Sequence, residues 1–351
     1  MEISELPVEG YEKVVRARDA ASGLDAFIAV HDTTLGPALG GMRMWPYASA
    51  DEALTDVKRL ARGMTFKSAI AHTGLGGGKS VIIGDPSQIK SEQLYLAMGE
   101  FIQSLGGTYI TAEDVNTTIH DLEIVRRKTD FVTGLSLESG SSGNPSPFTA
   151  GGCFLGIGAC LERVFGSDSC EGRVVALQGL GAVGSGLARR LAAAGAKVYG
   201  ADIRHDRLQE LADEFGLIPV DEQDVLTMEC DVFAPCALGG LLNDETIPQL
   251  RCKIIAGSAN NQLLTRAHGD ALRARGILYA PDYVINAGGI INVACELLPG
   301  GYSKDESIAR IRRIPAALRE LFEISELEDI STADAAFRLA QKILTAGRAP
   351  A

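Results

Sequence analysis

The second half of the chain alternates short apolar runs with longer amphipathic segments. Val174–Leu177 has the length and β-branched content of a buried strand, Leu187–Ala194 has helical composition, and Lys197–Ala201 reads as a second strand. Three further apolar runs follow at Cys230–Pro235, Lys253–Gly257 and Ile277–Pro281. Strands that alternate with helices in this way predict a parallel, doubly wound α/β sheet.

The first half has a different pattern. Tyr11–Asp19 and Leu24–His31 alternate apolar and polar residues on either side of a short turn, which predicts a β-hairpin. Amphipathic helices are predicted to begin at Asp51 and after the capping residue Ser91. Residues 35–45, with the sequence LGPALGGMRMW, contain too much glycine and proline for either regular structure. Short strands are predicted at Ser80–Ile83, Thr108–Ala112 and Phe131–Thr133.

The length of 351 residues exceeds what one hydrophobic core usually serves, so we expect two domains. The segment SGSSGNPSP at residues 139–147 is small and polar with two prolines, and it is the best linker candidate. We therefore expect one domain in residues 1–138 and a second in residues 139–324. A helical C-terminal segment, about residues 325–351, is predicted to pack back on the first domain.

The composition is that of an ordinary globular protein, with 46% hydrophobic and 22% charged residues. The formal net charge of −12 argues against nucleic acid and anionic membrane surfaces as partners. No apolar run is expected to reach membrane-spanning length, and the acidic N-terminus MEISELPVEG lacks a signal-peptide core. A cytoplasmic location is the prediction.

The seven cysteines are scattered without a CxxC pair, at positions 153, 160, 170, 230, 236, 252 and 295. An odd, scattered set suits reduced thiols in a cytoplasm better than disulfides or zinc ligation. The five histidines form no metal-binding spacing. We expect no protein-bound metal.

A glycine turn follows the first strand of the second half. Gly179 permits a sharp turn, Gly181 lets the backbone approach a pyrophosphate, and Gly184 lets the helix lie close on the strand. Asp202 ends the next strand, where a carboxylate can accept hydrogen bonds from a ribose diol. Together they predict a Rossmann-type NAD site. Arg204 is the alternative signal, because it could pair with the 2′-phosphate of NADP, although a solvated helix start is the better explanation of it.

Two lysines are candidates for chemistry in the first half. Lys79 follows GLGGG and begins an apolar strand, so the glycines would let another group approach the backbone closely. A lysine held in a partly buried site beside a second cation has a lowered pKa and can act as a base. Lys67, twelve residues earlier, could bind a carboxylate. The competing interpretation for each is a solvated surface charge.

Other polar clusters fall at predicted strand ends, the edge at which open α/β sheets bind ligands. Glu113 and Asp114 end one strand, although Asp114 could equally cap the helix that follows. In the second half, residues 257–261 (GSANN) and 281–289 (PDYVINAGG) follow two further strands. Asparagine is common in turns for its own reasons, so these two segments are weaker candidates.

Eight segments resemble motifs of one enzyme superfamily, in the same order along nearly the whole chain. The chain is similar to the amino-acid dehydrogenases of the glutamate/leucine/phenylalanine/valine superfamily, with its nearest likeness among the leucine-type enzymes. The matching segments are LGGMR at 39–43, GMTFKSA at 63–69, GLGGGKSVI at 74–82, TAEDVNT at 111–117, GNPSPFTA at 143–150, APCALGG at 234–240, GSANNQL at 257–263 and APDYVINAGG at 280–289.

The resemblance implies an α/β fold with a substrate-binding, catalytic first domain and an NAD-binding second domain across a cleft. It implies NAD-dependent, reversible oxidative deamination of an L-amino acid to a 2-oxo acid and ammonia. Lys67 would bind the substrate carboxylate, Lys79 would activate water as a base, and Asp114 would share protons with it. The implied cofactor-binding set is Arg43, Thr149, Gly179, Leu180, Gly181, Ala182, Val183, Gly184, Asp202, Cys236, Ala237, Asn260 and Asn286.

The resemblance also implies an apolar substrate pocket. Glutamate-specific members carry a lysine where this chain has Leu39, and a buried carboxylate opposite leucine would be left unpaired at a cost of several kcal/mol. Leucine, valine and isoleucine are the expected substrates, with phenylalanine as an alternative because Ile290 is bulkier than the valine usual there. The remaining expected substrate contacts are Gly40, Met64, Ala112, Thr133, Asn260 and Val293.

Two further predictions accompany the prediction of an enzyme. From a different functional class, the chain could be a non-enzymatic scaffold that senses NAD. By family analogy a homo-oligomer is expected, with the N-terminal hairpin as a plausible pairing edge.

Overall fold

The computed structural model of this protein describes residues 1–348, which divide into two compact units. Unit 1 contains residues 1–144, 293–304 and 340–348, and unit 2 contains residues 145–292 and 305–339. Each unit has its own six-stranded sheet covered by helices, so the α/β prediction is confirmed. The last three residues of the predicted C-terminal helical segment, 349–351, lie outside the described residues.

Unit 1 is built on a mixed sheet. Its spatial strand order is β1-β2-β3-β5-β4-β6. The first four strands in this order pair antiparallel, whereas β4 runs parallel to both β5 and β6. The predicted hairpin is confirmed as β2 and β3. The strands are β1 (Glu2–Glu5), β2 (Lys13–Asp19), β3 (Leu24–Asp32), β4 (Ala38–Trp45), β5 (Gly76–Ile83) and β6 (Tyr109–Glu113).

Helices cover both faces of this sheet. The side chains of Val57 and Ala61 on α1 pack against Phe27 and Val81 on one face. On the other face, α3 buries its apolar side against the strands. Ser49 caps α1, and Ser91 caps α3 as predicted. The helices are α1 (Ala50–Ile70), α2 (Pro86–Ile89), α3 (Glu92–Gln103) and α4 (Ile119–Arg126).

The prediction that residues 35–45 lack regular structure is wrong. Residues 38–45 form β4, which lies between two parallel neighbours inside the sheet. Its glycines are needed because the chain packs tightly there: a β-carbon on Gly40 would lie 1.8 Å from the Gly78 carbonyl oxygen. In this strand the glycines therefore indicate that neighbouring backbones pack closely, and they do not indicate a loop.

The strand predicted at Phe131–Thr133 is also wrong. That segment makes only an isolated bridge between Thr111 and Val132. Hydrogen bonds from Thr111 to Phe131 and from Thr133 to Thr111 complete the contact. Three residues at the sheet edge give too few hydrogen bonds to form a strand.

Unit 2 has an all-parallel sheet in the order β12-β11-β10-β7-β8-β9. Numbered within the unit, this is the 3-2-1-4-5-6 order of a doubly wound Rossmann fold, read from the opposite edge. The strands are β7 (Val174–Gln178), β8 (Lys197–Ala201), β9 (Ile218–Pro219), β10 (Cys230–Pro235), β11 (Cys252–Ile255) and β12 (Leu278–Tyr279).

The remaining helices lie between residues 146 and 348. Three of them, α10, α11 and α13, cross from one unit's residue range into the other's. The helices are α5 (Ser146–Phe165), α6 (Ala182–Ala193), α7 (His205–Phe215), α8 (Ala267–Ala274), α9 (Asp282–Ile285), α10 (Gly288–Ala294), α11 (Lys304–Ile311), α12 (Ile314–Leu327) and α13 (Thr332–Arg348).

Helix α5 corrects one prediction about membranes. By length and hydropathy alone, this 20-residue helix, with an 18-residue window of mean hydropathy 1.3, is long and apolar enough to cross a bilayer. The sequence expectation of no such run is therefore wrong by this criterion. The apolar character has a local cause, because Cys153, Ile157 and Cys160 on this helix are fully buried in unit 2.

Candidate functional site

Lys79 and Asp114 form a buried ion pair in unit 1. Lys79 Nζ lies 2.8 Å from Asp114 Oδ2, and the two side chains are 7% and 20% exposed. Lys79 lies within β5, opposite Ala29 of β3, and Asp114 follows the last residue of β6. Since desolvation offsets most of the attraction in a buried pair, this arrangement contributes little to stability. A catalytic role for the two side chains explains the burial of this pair better.

Glycines bury Lys79 by letting other parts of the protein approach β5. A β-carbon on Gly77 would lie 2.0 Å from the Thr65 backbone nitrogen, and one on Gly78 would lie 2.8 Å from the Tyr109 ring. The glycines were predicted to let another group approach the backbone closely. In the structure the groups that approach are α1 and β6, which enclose the start of the strand.

A tight turn holds Asp114 over the sheet. The Asp114 amide donates to Thr117 Oγ1 at 3.0 Å, and the same hydroxyl donates to the Met42 carbonyl at 2.7 Å. Asn116, with a φ of 60°, donates its side-chain amide to the Met44 carbonyl. The turn is thereby tied to β4, which explains why the TAEDVNT segment needs its asparagine and last threonine.

Gly41 on β4 makes room for the Asp114 side chain. A β-carbon at this position would lie 2.7 Å from the Cβ of Asp114 and 2.6 Å from the Glu113 carbonyl oxygen. Gly41 was not among the predicted site residues. Its signal is the double glycine of LGGMR, which read alone indicates a loop.

The surroundings shift the pKa values of the pair in a direction that suits base chemistry. Burial lowers the pKa of Lys79, Asp114 raises it, and Arg43 lowers it again, so that the pKa stays below the ordinary lysine value. Burial acts to raise the pKa of Asp114, but Lys79 and Arg43 outweigh it and hold that pKa at about 2. The second cation in this environment is Arg43, whereas the sequence analysis had considered Lys67.

Arg43 links the pair to two residues that the sequence analysis missed. Its Nε donates to Asp114 Oδ2 at 3.0 Å, and its Nη1 donates to Asp56 Oδ2 at 3.1 Å. Tyr47 OH donates to the same oxygen of Asp56 at 2.7 Å. Arg43 was predicted to contact the cofactor, and that role stays a prediction; in the structure both ends of its guanidinium bind carboxylates.

The other predicted substrate contacts of unit 1 lie on several elements. Lys67 is half-buried in the last turn of α1, where the helix positions Asp56 and Lys67 on one face because eleven residues complete three turns. Leu39 and Gly40 are buried on β4, and Met64 packs over Gly40. The remaining positions range from buried to half-buried: Ala112, Thr133 and Val293.

Thr133 has its polar atoms satisfied within unit 1. Its hydroxyl and its backbone amide both donate to the Thr111 carbonyl, at 3.0 Å and 2.9 Å. The loop beyond Thr133 is held by Glu296, which sequence reasoning missed. That carboxylate accepts hydrogen bonds from the Gly134 amide at 2.9 Å, the Ser141 hydroxyl at 2.6 Å and the Ser142 amide at 3.0 Å.

The glycine turn of unit 2 has the geometry expected of a pyrophosphate cradle. Gly179 has a φ of +90°, and a β-carbon on Gly184 would lie 2.0 Å from the Gly179 carbonyl oxygen. At Gly181 a β-carbon would meet nothing within 4 Å, so this face of the turn is open. Gly181 is also the N-cap of α6 and supplies no side-chain cap, which leaves the amides of Ala182 and Val183 directed at that space.

Asp202 is fixed beside this turn at the end of β8. Its Oδ2 accepts from the Leu180 amide at 2.6 Å, and its Oδ1 accepts from the Arg204 amide at 2.9 Å. The carboxylate is half-buried and the Arg204 side chain is exposed. Two backbone bonds thus orient the carboxylate before any ligand binds.

The remaining predicted residues of unit 2 lie near strand ends and the start of α5. Asn286 Nδ2 donates to Asn260 Oδ1 at 2.8 Å, and Thr149 Oγ1 donates to the Pro145 carbonyl. Gly289 is required beside Thr149, because a β-carbon there would lie 2.7 Å from Thr149 Oγ1. Ile290 is buried, Cys236 is half-buried and Ala237 packs against Gly179.

Metal ligation has no candidate in the part of the chain that the structure describes. Among residues 1–348, no three or more histidine, cysteine, aspartate or glutamate side chains come together as a metal site would require. The seven cysteines are all free thiols.

Two protein-family models match the chain. The Glu/Leu/Phe/Val dehydrogenase dimerisation domain matches residues 9–131, and the glutamate/leucine/phenylalanine/valine dehydrogenase domain matches residues 202–342. Together they cover more than half of the chain, and they include Lys67, Lys79 and Asp114.

Similar proteins of known name fall in the same group. The chain is 54% identical to a leucine dehydrogenase of Geobacillus stearothermophilus over 332 residues, covering 95% of the chain and 90% of that relative. It is 44% identical to a phenylalanine dehydrogenase of Lysinibacillus sphaericus, covering 96% and 89% of the two chains. The crystal structure of L-tryptophan dehydrogenase from Nostoc punctiforme superposes with a TM-score of 0.84 at 41% identity, covering 97% of each chain.

Proposed function

The chain belongs to the glutamate/leucine/phenylalanine/valine dehydrogenase family, and from that premise we propose that it catalyses the NAD-dependent, reversible oxidative deamination of branched-chain L-amino acids. It is an amino-acid dehydrogenase, and its relatives at 50–54% identity are leucine dehydrogenases. The products of the oxidative direction are a 2-oxo acid and ammonia.

The observation that carries this proposal is the buried pair of Lys79 and Asp114. A base that must take a proton from water near neutral or alkaline pH needs a pKa below that of an ordinary lysine. Burial of Lys79 among the glycine-lined strands lowers its pKa, Asp114 raises it, and Arg43 lowers it again, so the pKa stays below the ordinary lysine value. A surface lysine would remain protonated and could not take up this role.

Unit 2 supports a dinucleotide cofactor. The open face at Gly181 and the uncapped start of α6 suit the pyrophosphate, and the carboxylate of Asp202 suits a free ribose diol. A 2′-phosphate would meet the negative charge of Asp202, which favours NAD over NADP. A nicotinamide cofactor bound to unit 2 would supply the hydride acceptor for oxidation of the substrate Cα.

The side chains of unit 1 would carry the remaining steps. Lys67 would hold the α-carboxylate of the amino acid. After loss of the hydride the substrate is an iminium, and neutral Lys79 would take one proton from water as the oxygen bonds to the Cα. That proton can pass between Nζ and Asp114 Oδ2, which are 2.8 Å apart, and on to the amine nitrogen. Lys79, neutral again, would then take the hydroxyl proton of the N-protonated carbinolamine, which expels ammonia and leaves the 2-oxo acid.

The expected side-chain pocket has no charged group. Leu39, Ala112 and Thr133 would contact the substrate side chain together with Ile290 and Val293. Since one methylene changes discrimination by only about 1–3 kcal/mol, leucine, valine and isoleucine should all be accepted. The carboxylate of glutamate would have no partner against Leu39, and phenylalanine is the second candidate because Ile290 can reshape the pocket around a ring.

We also infer a homo-oligomer in the cytoplasm. The family model that matches residues 9–131 is a dimerisation domain. The exposed strand β1 leaves one edge of the unit 1 sheet free for pairing with another chain. Seven free thiols, six of them buried, suit a reducing compartment.

One experiment tests the proposed function. NADH formation is followed by absorbance at alkaline pH with L-leucine, L-valine, L-isoleucine, L-phenylalanine and L-glutamate, each with NAD and with NADP. We expect turnover with the three branched-chain amino acids and NAD, and none with glutamate. A clear preference for phenylalanine would replace the substrate assignment, and NAD binding without turnover of any amino acid would support a scaffold that senses NAD.

A further inference from the structure

Asp56 binds the same arginine, Arg43, that binds Asp114 of the reacting pair. We propose that Asp56 is a positioning residue, which holds the Arg43 guanidinium against Asp114 and thereby sets the charge balance around Lys79. This inference rests on the proposed function, because it concerns the base of that reaction.

The four side chains form a continuous chain of short contacts. Lys79 Nζ and Arg43 Nε both bind Oδ2 of Asp114, at 2.8 Å and 3.0 Å. The other end of the guanidinium, Nη1, binds Oδ2 of Asp56 at 3.1 Å. Because a guanidinium is planar and rigid, a carboxylate at each end fixes its orientation. Loss of Asp56 would leave Arg43 held at one end only.

Asp56 is itself held from two sides. It lies on α1, which packs against β5, and Tyr47 OH donates to its Oδ2 at 2.7 Å. Burial and the Asp56 charge raise the pKa of Tyr47, so this hydroxyl keeps its proton across the working range and remains a donor. Tyr47 therefore anchors Asp56 without changing its charge.

Burial makes the charges in this cluster strongly coupled. The side chains of Arg43, Asp56 and Asp114 are 18–20% exposed. By contrast, the pair of Arg189 and Glu214 on the surface of unit 2 is 43% and 48% exposed. Charges that are shielded from water interact over longer distances, so Asp56 influences Lys79 although Arg43 lies between them.

The charged and titratable groups around Lys79 come from every element packed against β5. The α1 helix contributes Asp56 and Lys67, β4 and the loop after it contribute Arg43 and Tyr47, and the end of β6 contributes Glu113 and Asp114. On β3, His31 is hydrogen-bonded to Thr65. On β6, the ring of Tyr109 lies beside Gly78, and its hydroxyl donates to Ser80. Of the groups on these elements, the charges that act on Lys79 are those of Asp114, Arg43 and Asp56.

The direction of the pH shift follows from the charges of these groups. Asp56 neutralises Arg43, and without it the uncompensated cation would disfavour the protonated form of Lys79. In Asp56→Asn the acid limb of the pH profile for leucine oxidation should therefore move to lower pH, by about 0.5 pH unit or more. In Arg43→Gln, which removes the cation, the limb should move in the opposite direction. A residue that only supported the fold would not produce shifts of opposite sign.

The test compares the pH dependence of kcat/KM for L-leucine, at saturating NAD, in the full-length wild type and four variants. The acid limb of the pH profile should shift to lower pH in Asp56→Asn and to higher pH in Arg43→Gln. Asp56→Glu keeps the negative charge, so its acid limb should lie where that of the wild type does. Asp25→Asn is the matched control, because Asp25 on β3 also pairs with an arginine of unit 1, Arg16 on β2, at 2.7 Å and is not among the charges that act on Lys79. Its profile should match that of the wild type.

A second measurement does not depend on turnover. Lysine labelled with ¹³C at Cε is titrated by NMR in the wild type and in Asp56→Asn, with the Lys79 signal assigned from Lys79→Arg. The midpoint for Lys79 should fall in the variant. A wild type that turns over no amino acid would refute the proposed function, whereas the titration would still decide this inference. An unchanged midpoint, or an acid limb of Asp56→Asn that coincides with wild type and Asp25→Asn, would overturn it.

Discussion

Lys79 Nζ lies 2.8 Å from Asp114 Oδ2, within a site where the lysine side chain is 7% exposed. Burial favours the neutral amine, whereas the neighbouring carboxylate favours the ammonium ion. These opposing effects give the lysine a lowered pKa and keep a proton acceptor beside it. The relationship suits a group that must gain and lose a proton in each catalytic cycle.

The pH dependence of the reaction should follow Lys79. Protonated Lys79 cannot take a proton from water, so kcat/KM for leucine should rise with pH and level off once the lysine is neutral. Since its pKa is lowered, the limb should lie below the ordinary lysine value of about 10.4. Asp114 titrates at about 2 and stays ionised throughout this range.

The variant Asp114→Asn should distinguish the contributions of Lys79 and Asp114 to the pH dependence of kcat/KM. Asp114 raises the pKa of Lys79, so its removal should move the limb to still lower pH while the maximal rate falls. A limb that moved to higher pH would show that the titrating group is not Lys79.

Gly41 should be intolerant of a side chain because Asp114 occupies the space beside it. In Gly41→Ala the new methyl group would collide with Asp114 Cβ and with the Glu113 carbonyl oxygen. We expect a loss of about 1–3 kcal/mol in the free energy of unfolding and a fall in kcat for leucine. Urea unfolding and initial rates measure the two effects.

Gly63→Ala provides the comparison for that prediction. Gly63 lies inside α1, and a β-carbon there meets nothing within 4 Å. Alanine should stabilise the helix by about 0.5–1 kcal/mol. Equal unfolding free energies for the two alanine variants would contradict the packing argument.

Asp202 should determine the choice of cofactor. In Asp202→Ser the ribose loses a charged acceptor, so the KM for NAD should rise by about tenfold or more. The use of NADP should improve relative to NAD, since the repelling carboxylate is gone and Arg204 remains nearby. Initial rates against each cofactor measure both changes.

A neighbouring carboxylate serves as the control for Asp202. Asp206 lies in the first turn of α7 and is exposed, so Asp206→Ser removes the same charge without touching the glycine turn. Its cofactor preference should stay that of the wild type. A wild type that preferred NADP would refute the role given to Asp202.

The sequence predicted unit 2 well because its signals are local. A buried parallel strand is a short apolar run, and the glycine turn and Asp202 lie within one strand-helix-strand segment. The structure confirms β7, β8 and β10 at nearly the predicted boundaries. Nothing distant in the sequence is needed to recognise this pattern.

Unit 1 was harder to predict because its key strand depends on residues far along the chain. β4 contains Gly40 and Gly41. The requirement for glycine at these two positions becomes clear only in the folded structure, where Gly78 and Asp114 lie against them. Read alone, the double glycine indicates a loop. The same limitation hid Asp56, because a carboxylate on an amphipathic helix is ordinary until Arg43 is found to bind it.

The central claim is that Lys79 is the base of an amino-acid dehydrogenase, and one comparison tests it most directly. Initial rates of NADH formation from L-leucine are measured for wild type, Lys79→Ala and Lys90→Ala, with circular dichroism to confirm folding. Lys90 is the matched control because its Nζ lies 2.7 Å from a carboxylate of the same unit, that of Asp121. We expect kcat to fall by about 10²- to 10⁴-fold in Lys79→Ala and to remain near the wild-type value in Lys90→Ala. A folded Lys79→Ala enzyme that turned leucine over at a rate near wild type would contradict the claim.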